Sequence, residues 1–220
     1  MKSSRQFDLL VFDWDGTLFD STALIARCIQ SACADVGTVV PSARDASYVI
    51  GLGLAEALAH AAPELPRERY GELAGRYRHH YLASQDKVVL FEGTLEMLQS
   101  LKARSHLLAV ATGKTRRGLD DALATAQMQG VFDATRTADE TASKPHPRML
   151  LELMEVLEVE PARTLMIGDT THDLQLAANA GASSIGVSYG AHEPDAFQEF
   201  GTRHIAHSTA DLRAWLEAHA

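Results

Sequence analysis

The chain has 220 residues, 46% of them hydrophobic and 22% charged, with a formal net charge of −9. That size can bury a full core without disulfide or metal staples, and it suits one large domain or one domain with a substantial insertion. The acidic balance argues against nucleic acid as the main partner, which needs a basic footprint, and no apolar run approaches the roughly 20 residues of a membrane span.

Leu9-Leu10-Val11-Phe12 is a continuous apolar run that ends at Asp13 and a glycine turn. It is too short for the core of a signal peptide and predicts a strand buried on both faces, as in a parallel sheet. Residues 20–87 then break the pattern, being rich in Ala, Leu, Arg, His and Tyr without a clear strand. Helices are expected over 21–36, 54–62 and 66–83, separated at Gly51-Leu52-Gly53 and Ala62-Pro63-Glu64. Cys28 and Cys33 fall on the first of these, five positions apart and on different faces, so no disulfide is expected between them. Two unpaired thiols suit a reducing cytoplasm. The expected protein is cytoplasmic, a monomer or homodimer, without a membrane partner.

The sheet is expected to resume near Phe91-Glu92-Gly93, with strands over 107–111, 164–167 and 184–187 and a short one starting at Val131-Phe132. Helices over 94–103, 115–126, 147–157 and 173–180 alternate with them. A last helix over 209–218 has Ser208 or Thr209 available as N-cap. Strands alternating with helices of this length indicate βαβ units. The expected fold is α/β, a doubly wound parallel sheet formed by residues 1–19 and 88–220, with residues 20–87 inserted as an all-helical domain.

Four clusters carry chemistry: Asp13/Asp15, Thr112-Gly113, Lys144 and Asp169/Asp173. The first, second and fourth each follow an apolar run and so lie at the carboxyl end of an expected strand, where open α/β sheets bind ligands. Several carboxylates in one pocket repel, at about 4 kcal/mol per pair for a separation of about 4 Å and an effective dielectric of about 20. A hard dication with oxygen ligands, namely magnesium, answers that repulsion. Lys144 adds positive charge, and the Thr112 hydroxyl with the amides after it offers donors for phosphate oxygens. Singly, every piece except Asp13-x-Asp15 reads as a strand end, a loop or a surface lysine; jointly they describe an active site.

The segments Asp13-Trp14-Asp15-Gly16-Thr17-Leu18, Ala111-Thr112-Gly113-Lys114, Ser143-Lys144-Pro145-His146-Pro147 and Ile167-Gly168-Asp169-Thr170-Thr171-His172-Asp173 resemble those of the haloacid dehalogenase-like hydrolases, nearest in appearance to the phosphoglycolate phosphatase-like branch. The resemblance implies a Rossmann-like core with a mobile helical cap and a magnesium-dependent phosphatase acting on a small phosphorylated metabolite. Asp13 would attack phosphorus to form an aspartyl-phosphate. Asp15 would protonate the leaving oxygen and then activate water. Asp13, the backbone carbonyl of Asp15 and Asp169 would hold the metal, assisted by Asp173 directly or from behind. Thr112, Gly113 and Lys144 would hold the phosphoryl oxygens.

Within the resemblance, an acid at Asp15 favours phosphoester over dehalogenase chemistry. The lack of lysine from residue 20 to 86, with Lys87 at the edge, disfavours a phosphonatase-type Schiff base. A phosphomutase of the β-phosphoglucomutase type stays open, because it uses the same nucleophile. A non-enzymatic phosphoacceptor module needs neither the insertion nor Asp15. His172 is expected to be a surface or packing residue and His79-His80 a solvated helix end. Trp14 is expected to turn away from the pocket, and Gly51-Leu52-Gly53 is a candidate substrate-reading loop.

Overall fold

The computed structural model describes residues 5–84 and 88–220. Its centre is a six-stranded sheet in the order β5-β4-β1-β6-β7-β8, with every pairing parallel. The strands are β1 (Leu9–Phe12), β4 (Leu107–Thr112), β5 (Ala134–Thr137), β6 (Thr164–Gly168), β7 (Ser183–Val187) and β8 (Ile205–Ala206). Helices α5 (Thr94–Ala103), α6 (Arg116–Thr125), α7 (Arg148–Val156), α8 (Thr171–Asn179) and α9 (Thr209–His219) connect or close them.

Apolar runs suit the central strands because both faces are covered. Leu10 and Phe12 pack with Met97, Leu98 and Leu216 on one face, while Leu9 and Val11 pack with Met149, Leu153 and Leu176 on the other. Each such side chain contributes roughly 1.5–3 kcal/mol when fully buried. Phe12 is in register with Val110 on one side and Ile167 on the other. That register brings the carboxyl ends of β1, β4 and β6 together.

Between β1 and β4 lie α1 (Thr22–Asp35), α2 (Ala43–Tyr48), α3 (Leu54–Ala61) and α4 (Tyr70–Leu82). They bury a separate apolar cluster that includes Ile29, Val49, Leu58 and Leu73. Cys28 and Cys33 are both buried, free thiols of α1. The chain enters and leaves this segment through a two-stranded antiparallel ribbon, β2 (Phe19–Asp20) with β3 (Val89–Leu90). The far edge of the expected insertion, Lys87, lies outside the described residues.

Several local expectations change. β5 starts at Ala134, and Val131 and Phe132 instead pack against the core ahead of it. α8 starts at Thr171, so Asp173 sits in its first turn and completes a reciprocal cap with Thr170. Ser208, not Thr209, caps α9 by accepting from the Asp211 amide; the Thr209 hydroxyl donates to the Glu92 carbonyl. The segment α2 and the strands β2, β3 and β8 were not anticipated.

Candidate active site

β1 ends at Phe12, but the ladder runs one residue further, since the Asp13 amide donates to the Ile167 carbonyl. This fixes Asp13 beside the end of β6. Gly16 then turns the chain at φ +81°, and a Cβ there would run into the Asp169 carboxylate. Glycine is therefore needed at that position for backbone conformation and for close approach alike. Thr112 closes β4 on the other side of Asp13, buried, and its hydroxyl accepts from the Lys114 amide.

Lys144 is the pivot of the buried charges. Its Nζ lies 2.6 Å from Asp13 Oδ1 and 2.6 Å from Asp173 Oδ1, and the residue is only 2% exposed. Burial alone would discharge this ammonium, but the two carboxylates outweigh it and hold its pKa above the ordinary lysine range. Burial also dominates at Asp13, raising it to about 7 against the pull of Lys144, with Asp173 pushing the same way as burial. Asp13 Oδ2 is buried and accepts no hydrogen bond from the described residues.

Asp169 is fully buried. Its Oδ1 accepts from the Thr17 hydroxyl at 2.9 Å and its Oδ2 from the Ala191 amide at 2.7 Å. Burial, then the charges of Asp13 and Asp173, still push its pKa well up. Asp173 Oδ2 accepts from the Thr170 amide and hydroxyl, so that carboxylate caps α8 as well as meeting Lys144. One oxygen each from Asp13, Asp169 and Asp173 lies within 4.8 Å of the others.

Asp15 stands at the mouth of this cluster. Its Oδ1 accepts from the Ser21 hydroxyl at 2.7 Å, and its Oδ2 lies 2.9 Å from Lys114 Nζ. Lys114 also donates to the Tyr81 hydroxyl at 3.2 Å and sits 5.1 Å from the centre of that ring. Burial works against the Lys114 charge, but Asp15, together with Tyr81 and Tyr77, more than compensates and raises the Lys114 pKa.

The structure thus brings Asp13, Lys144, Asp169 and Asp173 into one cluster, and Asp15, Thr112 and Gly113 line the cavity that opens from Asp13. Sequence reasoning missed three contributors. Thr17, Ser21 and Lys114 lay inside or beside the quoted segments, but their hydroxyl and ammonium partners are set by tertiary geometry. Ser21 precedes α1 without capping it through its side chain, which goes to Asp15 instead.

The other candidates have plain places. His172 is a packing residue; it and His192 each put Nε2 within hydrogen-bond distance of the Tyr48 carbonyl, at 2.8 and 2.9 Å. His192 Nδ1 accepts from the Thr171 amide, which leaves the proton on Nε2. Burial keeps the pKa values of both rings low. His80 pairs with Asp35 at 2.9 Å. The Gly51-Leu52 backbone presses on Gly113, and the Gly53 amide donates to Ser143 at 2.8 Å. Trp14 packs as expected, stacked 4.6 Å from Phe19, but it also forms part of the cavity wall.

The donor set fits a hard dication. Four carboxylates (Asp13, Asp15, Asp169, Asp173) face two ammoniums (Lys114, Lys144), and Asp13 Oδ2 has no donor of its own. Oxygen-only ligands with excess negative charge are what magnesium takes.

The family model described as haloacid dehalogenase-like hydrolase matches residues 10–187. A probable phosphatase, IndB, from Dickeya dadantii is 35% identical over 85% of this chain and 84% of its own. A phosphoglycolate phosphatase from Mannheimia succiniciproducens is 30% identical over 85% of this chain and 88% of its own. A solved hydrolase from Pseudomonas syringae superposes with a TM-score of 0.86 at 21% identity, covering 95% of this chain and 97% of that one, a likeness of fold.

Proposed function

The chain belongs to the haloacid dehalogenase-like hydrolase family, as a phosphatase of it, and from that premise we propose a magnesium-dependent phosphate-monoester hydrolase that works through an aspartyl-phosphate on Asp13. The observation that carries this reading is the asymmetry of the Asp13 carboxylate. Oδ1 is held by Lys144, and Oδ2 is buried without a donor. Lys144 thus orients the carboxylate through Oδ1, and no described donor competes for Oδ2.

Asp13 attacks phosphorus, and the phosphoryl group passes to its carboxylate as the bond to the leaving oxygen breaks. Asp15, steadied by Ser21, gives the leaving oxygen its proton and takes one from the water that cleaves the acyl phosphate. Lys144, Thr112 and the Gly113 amide hold phosphoryl oxygens, where fixed donors act most strongly in a dry site. Asp13, Asp169 and the backbone carbonyl of Asp15 are the proposed magnesium ligands, with Asp173 assisting. Bound there, the ion supplies charge neutralisation for the carboxylates and the phosphoryl oxygens. Residues 20–87 act as the cap that excludes bulk water.

Asp13→Asn should abolish magnesium-dependent phosphate release from p-nitrophenyl phosphate while the circular dichroism spectrum is kept. Retained activity would refute the mechanism.

A further inference from the structure

The cavity over Asp13 and Asp15 encloses about 770 Å³, within the range of sites that enclose drug-sized ligands. Glycolate would fill a small part of it. Its walls come from the helical segment and from the core, and they are largely aliphatic or aromatic: Ile25, Ile29, Val49 and Leu58 on one side, Phe19 and Ala122 on the other. Tyr77 and Tyr81 add a pair of rings 6.0 Å apart and 24° from parallel.

Cations along these walls are few, and among the described residues none is both buried and unpaired. Among the described lining residues, the cations are Lys114, Arg78 and Arg117. Lys114 is paired with Asp15 and Tyr81. Arg78 is exposed, and the Arg117 side chain is 92% exposed with Asp121 3.9 Å away. A second anionic group on the substrate, such as the glycolate carboxylate, would be taken from water into an apolar chamber in which no described residue offers a free buried cation, which is strongly unfavourable.

Resting on the phosphatase reading above, we propose that the preferred substrate is the phosphate monoester of an uncharged, carbon-rich alcohol whose apolar body fills the chamber between α1, α3, α4 and the core. The phosphoryl end sits on the acids, and the body is held by burial alone. The selectivity is a gradient in apolar surface, not a charge match.

The test is kcat/KM, with magnesium, for unbranched alkyl phosphates from ethyl to octyl, beside 2-naphthyl phosphate, phosphoglycolate and p-nitrophenyl phosphate. The alkyl leaving groups differ little in basicity, so the series reads burial. Each added methylene should raise kcat/KM about fourfold while the chamber has room, or about two-hundredfold from ethyl to hexyl. Leu54→Lys, which puts a cation in the wall, should lower the octyl-to-phosphoglycolate ratio at least tenfold. A flat alkyl profile, or phosphoglycolate preferred over butyl phosphate, would overturn the proposal. If Asp13-dependent hydrolysis of p-nitrophenyl phosphate persists under a flat profile, only the substrate class fails. If no phosphate ester is cleaved, the phosphatase reading fails with it.

Discussion

The floor and the walls of the cavity follow opposite rules. The floor is set by Asp13, just past β1, with Asp169, just past β6, and Lys144, in the loop before α7, buried behind it with charges that burial disfavours. The walls are made mostly of helices that present Ile, Val, Leu and Tyr to the same space. Buried charge survives on the floor because every oxygen of Asp169 and Asp173, and one of Asp13, meets a donor or Lys144. Among the described wall residues the ion pairs are Lys114 with Asp15, extended to Tyr81, and the exposed Arg117 with Asp121. On the two proposals above, the difference separates two tasks: the sheet sets the chemistry, and the helical segment sets what the leaving group is made of.

The largest effect should come from breaking the floor. Lys144→Met removes the shared partner of two buried carboxylates, at a stability cost of roughly 3–5 kcal/mol. It should lower kcat about a thousandfold, the scale of losing one fixed transition-state donor. Denaturant titration and steady-state kinetics read both. Next in size is the metal. Magnesium at about 100 times its Kd should stabilise the protein by about 2.7 kcal/mol, seen as a rise in Tm that Asp169→Asn removes.

Lys114→Met tests a link between floor and wall. It strips Asp15 of its ammonium partner and Tyr81 of its donor. The expected loss in kcat is about tenfold for alkyl phosphates, and less for p-nitrophenyl phosphate, whose leaving group needs little protonation.

The smallest effect belongs to the opposite end of the sheet. The Asp8 carboxyl, just before β1, is pulled down to about 2, chiefly by hydrogen bonds from Arg163 and against the opposing effect of partial burial. Its folded-state pKa lies below the ordinary 3.8, so its contribution is present above that pH and is lost as pH falls toward 2. The pair is partly exposed and screened by solvent. Asp8→Asn should therefore lower Tm slightly at pH 7, not at pH 2, and leave kcat/KM unchanged.

How much could be read in advance follows the same division. The four apolar runs that became β1, β4, β6 and β7 were legible because a strand buried on both faces writes itself as continuous hydrophobicity. That Asp13, Asp169 and Lys144 come together was legible only from the four segments taken jointly, since Lys144 by itself reads as a surface lysine. α2 was not: its six residues bury only Ala46, too little for a period to show. β2 and β3 are two residues each, and their pairing depends on both ends of the helical segment coming back together. Ser21 looked like the start of a helix, and its bond to Asp15 follows from the turn at Gly16, not from any spacing in the chain. The character of the cavity was hidden for a similar reason, since its apolar walls are assembled from residues as far apart as Phe19 and Ala126.

The proposed chemistry passes through one covalent bond, and that bond can be weighed. Rapid acid quench of the enzyme turning over p-nitrophenyl phosphate with magnesium, followed by peptide mass spectrometry, should find a phosphoryl increment on the peptide containing Asp13. The increment should be lost on treatment with hydroxylamine and absent in Asp13→Asn. An unmodified Asp13 peptide throughout turnover, or the increment on another residue, would contradict nucleophilic attack by Asp13.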